Sequence, residues 1–565
     1  MSGTAGTNGN PKTSDVRIGV FICHCGSNIA GYLDCEALTR YAATLPGVVY
    51  ARNNLYTCSE AGIGEIQKAI GEHKLTRVVV ASCSPRTHQP LFKSACAQAG
   101  LNPYLFEMVN IRNQCSWVHM RERETGTQKA MDLVRMGVAK ATFLEAQEDI
   151  ISSLVRRALV IGGGVAGLSA TEALADMGME VFLVEKQAAL GGLVKSLYRL
   201  APSGESAADL VNGLIELVTS KPKVKVFLES EVTHVGGVVG NYEITIKDAR
   251  GSESKELVGT IIVATGAVPF KPEGLFGYNG ENVITLFELE ERLAKGVVEA
   301  WNIVFIQCVG ARNEQRGYCS RICCVTAAKN ALYLKEQNPD AHINVLYRDI
   351  QTYGTENEKM LWDSKGKGVR YDVYDAKRPP VVRDGVVKFY QPLMGEAREL
   401  PYDLVVLSTP LTPPADVPSL SRLMRIPVDQ HNFFLEAHAK LRPLDFASDG
   451  IFLCGTARYP ATVGEARAQG LGAASRSGTI LFKDKLINSP LVAAIDDKTC
   501  VGCQGCLGVC PYSAIEYVAE TGVCRVSTIL CKGCGNCAST CPSSSVKLKG
   551  FTPKQMLSQI RAMAG

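Results

Sequence analysis

The residues of this chain best equipped for chemistry are its cysteines, 21 among 565 residues. Towards the C-terminus they fall into a repeat. Cys500, Cys503, Cys506 and Cys510 precede Pro511. Cys531, Cys534, Cys537 and Cys541 precede Pro542, 31 residues further on. Each run reads C-x2-C-x2-C-x3-C-P. Three thiolates at that spacing share one tight turn and can reach three irons of a cubane, while the fourth points to the neighbouring cluster. The pattern therefore predicts one [4Fe–4S] cluster on Cys500, Cys503, Cys506 and Cys541, and a second on Cys531, Cys534, Cys537 and Cys510. Gly502, Gly505, Gly533 and Gly535 leave room for backbone N–H groups to approach the sulfurs. The competing reading is a pair of zinc sites. Zinc takes its four ligands from paired knuckles, not from three-plus-one runs closed by proline.

Two further cysteine groups stand upstream. Cys308, Cys319, Cys323 and Cys324 form a C-x10-C-x3-C-C run after the strand-like NIVFIQ of residues 302–307. Vicinal cysteines seldom bond to each other. The run reads either as a redox-active thiol pair beside a cofactor or as an atypical [4Fe–4S] site. Cys23, Cys25, Cys58, Cys83 and Cys115 occupy expected strand ends or loops, so four of the five can meet around a cubane at one sheet edge. Which of Cys23 and Cys25 is spare, or whether both bind, stays open. Cys35, Cys96, Cys454 and Cys524 have no spacing partner and read as small core or surface residues. His24, His88 and His119 read as hydrogen-bonded structural groups.

The elements that must position these groups follow an α/β pattern. RIGVFI (17–22) and RVVVA (77–81) predict strands, and residues 61–71 a helix, in a small α/β domain ending near residue 120. Residues 127–147 predict an amphipathic helix leading away from it. At Arg157 the pattern restarts as strand, glycine turn, helix and strand. Gly162, Gly164 and Gly167 make G-x-G-x-x-G, and Glu185 ends the next strand. Such glycines permit a tight turn and close approach of a pyrophosphate to the helix N-terminus, where free N–H groups and the dipole favour it; the acid takes ribose hydroxyls. Val165, Ala166 and Lys186 flank these positions. Further strands are expected at 260–264, 303–307, 343–347, 404–408 and 451–454. Composition turns Cys-, Gly- and Pro-rich near residue 487, and a helix is expected from Thr552 to Met563.

The glycine turn does not distinguish NAD from FAD. Gly191-Gly192, the IIVATGA of residues 261–267 (with Ala264, Thr265 and Gly266), and GIFLCGTARYP before a helix resemble flavoproteins of the thioredoxin reductase type. That likeness implies FAD, with Gly455 and Thr456 near its ribityl and pyrophosphate. The usual Asp of that last segment is Thr456 here. Where a second glycine fingerprint would bind NAD(P)H, the chain carries its C-x10-C-x3-C-C run.

Over nearly its whole length the chain resembles the A-type polypeptide of heterodisulfide reductase. The likeness rests on CHCGSNI (23–29), ASCSPRTHQPLF (81–92), NPYLFEMVNIRNQCSWVH (102–119), the flavin fold, the atypical cysteine run and the ferredoxin-like tail. It implies an oxidoreductase with one FAD and four [4Fe–4S] clusters, one of them on the N-terminal cysteines and one on the atypical run. It also implies electron transfer, with bifurcation, between flavin and clusters in a complex. Its partners there would be B- and C-type subunits and a hydrogenase- or dehydrogenase-linked donor, with ferredoxin a further candidate. Some family members carry an inserted ferredoxin domain; with no cysteine between Cys115 and Cys308, this chain lacks it. Reduction of a disulfide substrate belongs, in the family, to a separate polypeptide with CCG-type motifs, and here Cys323-Cys324 is followed by Val325. A stand-alone NAD(P)H-dependent reductase and a cluster-bearing scaffold or sensor are the alternatives.

The expected domains are a disordered leader (1–15), an N-terminal α/β cluster-binding domain with its linker helix (16–150), a thioredoxin-reductase-like Rossmann-type FAD domain (151–487), and an α+β two-[4Fe–4S] domain with a C-terminal helix (488–565). A net charge of +4 argues against a nucleic-acid binder. No run approaches a membrane span, and the leader lacks the apolar core of a signal peptide. The cytoplasm is the expected location, and there so many cysteines suit metal better than disulfides.

Overall fold

The computed structural model describes residues 15–296 and 298–564. All of the expected leader except Asp15 lies outside them. The chain forms two compact units: Met1–Ile151 with Ile487–Gly565, and Ser152–Leu486.

In the first unit, four parallel strands run in the order Val48–Asn54, Ile18–Cys23, Arg77–Ser82, Phe106–Asn110. Alternate residues of the central strands face opposite sides, as strand pleating dictates. Val20, Ile22 and Val79 pack under Cys35–Ala43 and Arg123–Ala141. Phe21, Val78 and Val80 pack under Glu60–Glu72 and Pro85–Gln98. The helix expected to lead away over 127–147 instead spans Arg123–Ala141 and packs back on the sheet through Ala130, Val134 and Val138. Buried Arg77 closes its end: Nε donates to the Ala141 carbonyl (3.1 Å) and Nη2 to that of Leu144 (2.8 Å).

The tail of this unit holds two short antiparallel pairs, Ala493–Ile495 with Val546–Leu548 and Ile515–Val518 with Val523–Val526. Its last helix, Pro553–Ala564, lies along Arg123–Ala141. There Gln555 Nε2 donates to the Phe143 carbonyl (2.9 Å) and Arg135 Nε to that of Ala562 (2.5 Å).

The second unit has two lobes, each a five-stranded parallel sheet with a three-stranded antiparallel sheet of its own. The first lobe orders its strands Ile451–Leu453, Thr260–Val263, Arg157–Ile161, Glu180–Val184, Val224–Phe227. The second orders them Val283–Thr285, Leu404–Leu407, Asn302–Ile306, His342–Tyr347, Arg370–Val373. The second lobe is inserted into the first. The chain crosses at Val268–Pro269 and returns beside it, antiparallel, at Leu411–Thr412. Parallel sheets of this kind are buried on both faces, which explains strands as apolar as TIIV, NIVFI and LVVL. Among the described residues no helix is long and apolar enough to cross a membrane.

Arg77→Met would leave the Leu144 carbonyl without its donor and leave that of Ala141 only the Leu144 N–H (3.2 Å). Each orphaned buried group costs about 1–3 kcal/mol. Hydrogen exchange read peptide by peptide should show faster opening across the first unit and unchanged protection in the second; equal protection in both would show that the cap is dispensable.

Candidate functional site

The glycine turn stands at the C-terminal end of Arg157–Ile161 and opens the helix Val165–Asp176. Gly162 has φ of 110°, and a Cβ there would lie 2.3 Å from the Ala264 carbonyl oxygen. Beside it is a cavity of about 430 Å³. Its lining includes Gly162, Gly164, Val165 and Ala166, then Glu185, Lys186 and Gly192, then Ala264, Thr265, Gly266 and Thr456. Three expected contacts lie outside the lining. Gly167 is a packing glycine, since a Cβ on it would sit 1.9 Å from the Gly162 oxygen. Gly191 bridges to Gly164, and Gly455 packs on the Ala166 methyl. Glu185 Oε2 accepts from Gly163 N (2.7 Å), so the acid also fixes the turn. Two lining hydroxyls, on Thr265 and Thr409, are buried without a protein partner. A helix N-terminus at one end and unpaired donors along the wall suit an extended, phosphate-bearing dinucleotide.

The far end of this cavity belongs to the second lobe. Lys329 and Glu290 meet there almost wholly buried, with Nζ 2.5 Å from Oε1. Nζ also donates to the Arg199 carbonyl (2.7 Å), and Glu290 Oε2 accepts from Tyr198 N (2.9 Å). Burial depresses the Lys329 pKa, and Glu290 opposes that shift. Sequence reasoning missed this pair. Its signal was an acid, Glu290, on the apolar face of Leu286–Lys295 beside Leu286, Leu289 and Leu293.

Cys308, Cys319, Cys323 and Cys324 line a second, smaller cavity together with Gln307, Arg312 and Arg321. The Gln307 amide is fully buried and both its polar atoms lack partners. Arg312 reaches to 4.0 Å from Cys308 Sγ while its Nη2 donates to Asp349 (2.9 Å). Arg321 N donates to Cys319 Sγ (3.3 Å). Cys308, Arg312 and Arg321 all take left-handed backbone angles, φ 64°, 55° and 63°. Such non-glycine residues are costly and gather where a site constrains the chain. Burial raises the Cys323 thiol, and the Cys324 thiol to about 12. Cys323 lines both cavities, its Sγ donating to the Thr409 carbonyl (3.4 Å). Arg321 also donates to Glu465 (2.8 Å), which caps the helix after Thr456, so the cysteine loop is tied to the cofactor loop.

The tail repeats the same device twice. Cys500, Cys503, Cys506 and Cys541 ring one small cavity. Cys510, Cys531, Cys534 and Cys537 ring another. These are the two three-plus-one groupings that the spacing predicts. Backbone N–H groups point at the sulfurs: Ala493 N to Cys531 (3.4 Å), Gly533 N to Cys531 (3.5 Å) and Ala514 N to Cys510 (3.3 Å). At Cys541 a burial penalty is outweighed by hydrogen bonds from Ser543 and from the Val546 and Ser545 backbone, and the thiol falls to about 7. Cys503 and Cys534 are exposed.

In the N-terminal sheet the strand ends do converge. Burial raises the Cys58 and Cys83 thiols, and the nearby Cys23 and Cys25 thiols raise them further. Cys115 is fully buried with Ile111, Ala130 and Val134, in a cluster against which Cys25 also packs, and burial pushes its thiol up to about 11. The Thr57 and Ser82 hydroxyls and His24 Nε2 are buried without partners beside Cys58, Cys83 and Cys23. His24 is thus not the hydrogen-bonded residue expected, whereas His119 Nδ1 contacts Glu122 (3.3 Å). Among the described residues no three His, Cys, Asp or Glu side chains converge as a single-ion site. The tail thiols and those of Cys308, Cys319, Cys323 and Cys324 instead ring small cavities, which suits a multi-iron core better than one zinc ion.

Fold and site together define a two-lobed oxidoreductase with a dinucleotide cavity and cysteine cages. Comparison with known proteins agrees. The family model described as pyridine nucleotide-disulphide oxidoreductase matches residues 156–311. The second A-type iron–sulfur polypeptide of the CoB–CoM heterodisulfide reductase of Methanopyrus kandleri is 36% identical, spanning 90% of this chain and 92% of that protein. The A-type polypeptide of the H(2):CoB-CoM heterodisulfide,ferredoxin reductase of Methanothermobacter thermautotrophicus is 36% identical over 97% of each. The crystal structure of Lactococcus lactis thioredoxin reductase is 18% identical with a TM-score of 0.42, over 58% of this chain and 99% of that one. The chain belongs to the HdrA family, the A-type iron–sulfur flavoproteins of heterodisulfide reductase.

Removing one partner of a buried ion pair costs about 3–5 kcal/mol, because the other charge stays buried. Lys329→Met should therefore lower the urea midpoint of the second unit markedly. Glu290→Gln added to it should recover more than half of the loss, since the amide still accepts from Tyr198 N. No recovery in the double variant would show that the pair is not held as ions.

Proposed function

We propose that this chain is the FAD- and iron–sulfur-bearing electron-transfer component of a heterodisulfide-reductase-like complex. The observation that carries the reading is Cys323, whose side chain lines both the dinucleotide cavity and the four-cysteine cavity. A flavin takes up electrons in pairs and gives them up singly, and a [4Fe–4S] cluster carries one at a time. Placing the two sites wall to wall lets this chain convert paired into single electrons.

The residues divide that work. The glycine turn and the N-terminus of Val165–Asp176 would hold the FAD pyrophosphate, Glu185 the ribose, and Thr265, Thr409 and Thr456 would supply hydrogen bonds along the cavity. Lys329 and Glu290, buried together, would brace the second-lobe wall of the cavity through the Arg199 carbonyl and Tyr198 N. Cys308, Cys319, Cys323 and Cys324 would hold the adjacent cluster, with Arg312 and the Arg321 N–H aimed at its thiolates. Cys23, Cys25, Cys58 and Cys83 would hold an N-terminal cluster, with Cys115 the spare thiol. The tail would hold two more, reached from the surface through Cys503 and Cys534.

Four clusters and one FAD per chain are the proposed complement, in the cytoplasm, where thiols stay reduced. The relatives' names mention H(2), ferredoxin and the CoB–CoM heterodisulfide. By that likeness the partners are a donor linked to a hydrogenase or another dehydrogenase, ferredoxin, and B- and C-type subunits. Bifurcation of each electron pair between them is the corresponding activity.

Anaerobically purified protein should contain about one FAD and about sixteen irons. Only about eight irons would sink both the N-terminal and the atypical cluster. Cys323→Ser should cost about four irons while FAD is retained, and should slow passage of electrons from reduced flavin to the remaining clusters at least tenfold in stopped-flow absorbance.

A further inference from the structure

The two cluster cavities of the tail are built by one repeat, so their walls can be compared position by position. A shift of 31 residues carries Cys500 onto Cys531, and with it Ala493 onto Cys524, Tyr512 onto Ser543, and Ala514 onto Ser545. The structure respects this equivalence. Ala493, Tyr512 and Ala514 line the cavity of Cys510, Cys531, Cys534 and Cys537. Cys524, Ser543 and Ser545 line that of Cys500, Cys503, Cys506 and Cys541. At all three places the first site has an apolar or aromatic wall and the second has a small side chain that can donate a hydrogen bond.

Those donors face the sulfurs. Cys524 is buried with 1% exposure and packs beside Cys506 in the wall of that cavity. Ser543 Oγ lies 3.6 Å from Cys541 Sγ and 2.5 Å from Ser545 Oγ. Backbone donors serve both sites, so the side chains make the difference. A reduced cluster carries one more negative charge than an oxidised one, and donors to its sulfurs stabilise that charge. One feature opposes this. Lys532, at the equivalent of Val501, brings a cation to the other site. It is exposed, however, and solvent and salt screen it, whereas Cys524 and Ser545 are buried and Ser543 is half-buried in the cavity wall.

We infer that Cys524, a fifth and non-ligating thiol, together with Ser543 makes the site of Cys500, Cys503, Cys506 and Cys541 the higher-potential member of the tail pair. Within the tail, one electron then passes from the Cys510/Cys531/Cys534/Cys537 site, which is oxidised by one, to the Cys524-flanked site, which is reduced by one. The inference rests on the reading that the tail holds two [4Fe–4S] clusters.

The test is an EPR-monitored redox titration of the full-length, cluster-loaded protein with dithionite as reductant. Cys524→Ala should lower the midpoint of one tail cluster and move electron sharing between the pair about tenfold away from it, about 59 mV for a one-electron couple. Cys524→Ser, which keeps a donor, should stay near wild type. Ala493→Cys should raise the midpoint of the other tail cluster. Iron content should be unchanged in all three. Unchanged midpoints at full iron, or both variants moving the same signal, would overturn the inference. A wild-type chain with fewer than about eight irons would overturn the two-cluster reading itself.

Discussion

Everything in the flavin-type unit depends on one side chain being in two places at once. Cys323 is the first residue of the helix Cys323–Gln337, where the strand Asn302–Ile306 has already released the chain into the cysteine loop. Its thiol reaches the Thr409 carbonyl at the end of the neighbouring strand, and so stands in the wall between the dinucleotide cavity and the four-cysteine cavity. In an open parallel sheet, ligands gather outside the carboxyl ends of the strands. Here both lobes turn such an edge towards the same space. The Arg321–Glu465 bond and the Lys329–Arg199 bond cross from one lobe to the other and keep the wall closed.

The same constraint recurs in the N-terminal sheet. Cys23 ends a parallel strand, and Cys58 and Cys83 each follow one, at the edge where the backbone is free to turn. Unpartnered Thr57, Ser82 and His24 atoms gather there too. Buried polar atoms without partners are rare in folded proteins, so three beside the cysteines of one sheet edge set that edge apart from the rest of the unit. The tail reaches its cages differently. One short helix and positive-φ residues (Gly502 and Gln504, then Gly533 and Gly535) wrap each run of three cysteines, and the fourth cysteine lines the other cavity.

Much of this was legible in the residues. The tail pairing followed from spacing alone, because a x2-x2-x3 run leaves its fourth thiol no path to its own cluster. The glycine turn was legible because close approach to Ala264 tolerates no Cβ. Other features were not. That the helix after residue 122 returns to the sheet depends on Arg77 meeting two carbonyls more than sixty residues away. That Cys115 is fully buried depends on its turn packing beneath the helix Arg123–Ala141. Glu290 and Lys329 are ordinary residues apart; their meaning comes from burial together.

The sequence by itself determined which residue types the cages contain and which cysteines belong to one run, since spacing along a turn is a local property. It also determined the repeat that sets Cys524 opposite Ala493. Only the tertiary structure decided that Cys524 lines the cavity of Cys500, Cys503, Cys506 and Cys541, that Cys323 joins two cavities, and that Cys115 is buried beneath the helix Arg123–Ala141. Those facts depend on distances between segments far apart in the chain, and burial and sheet geometry, not spacing, set such distances.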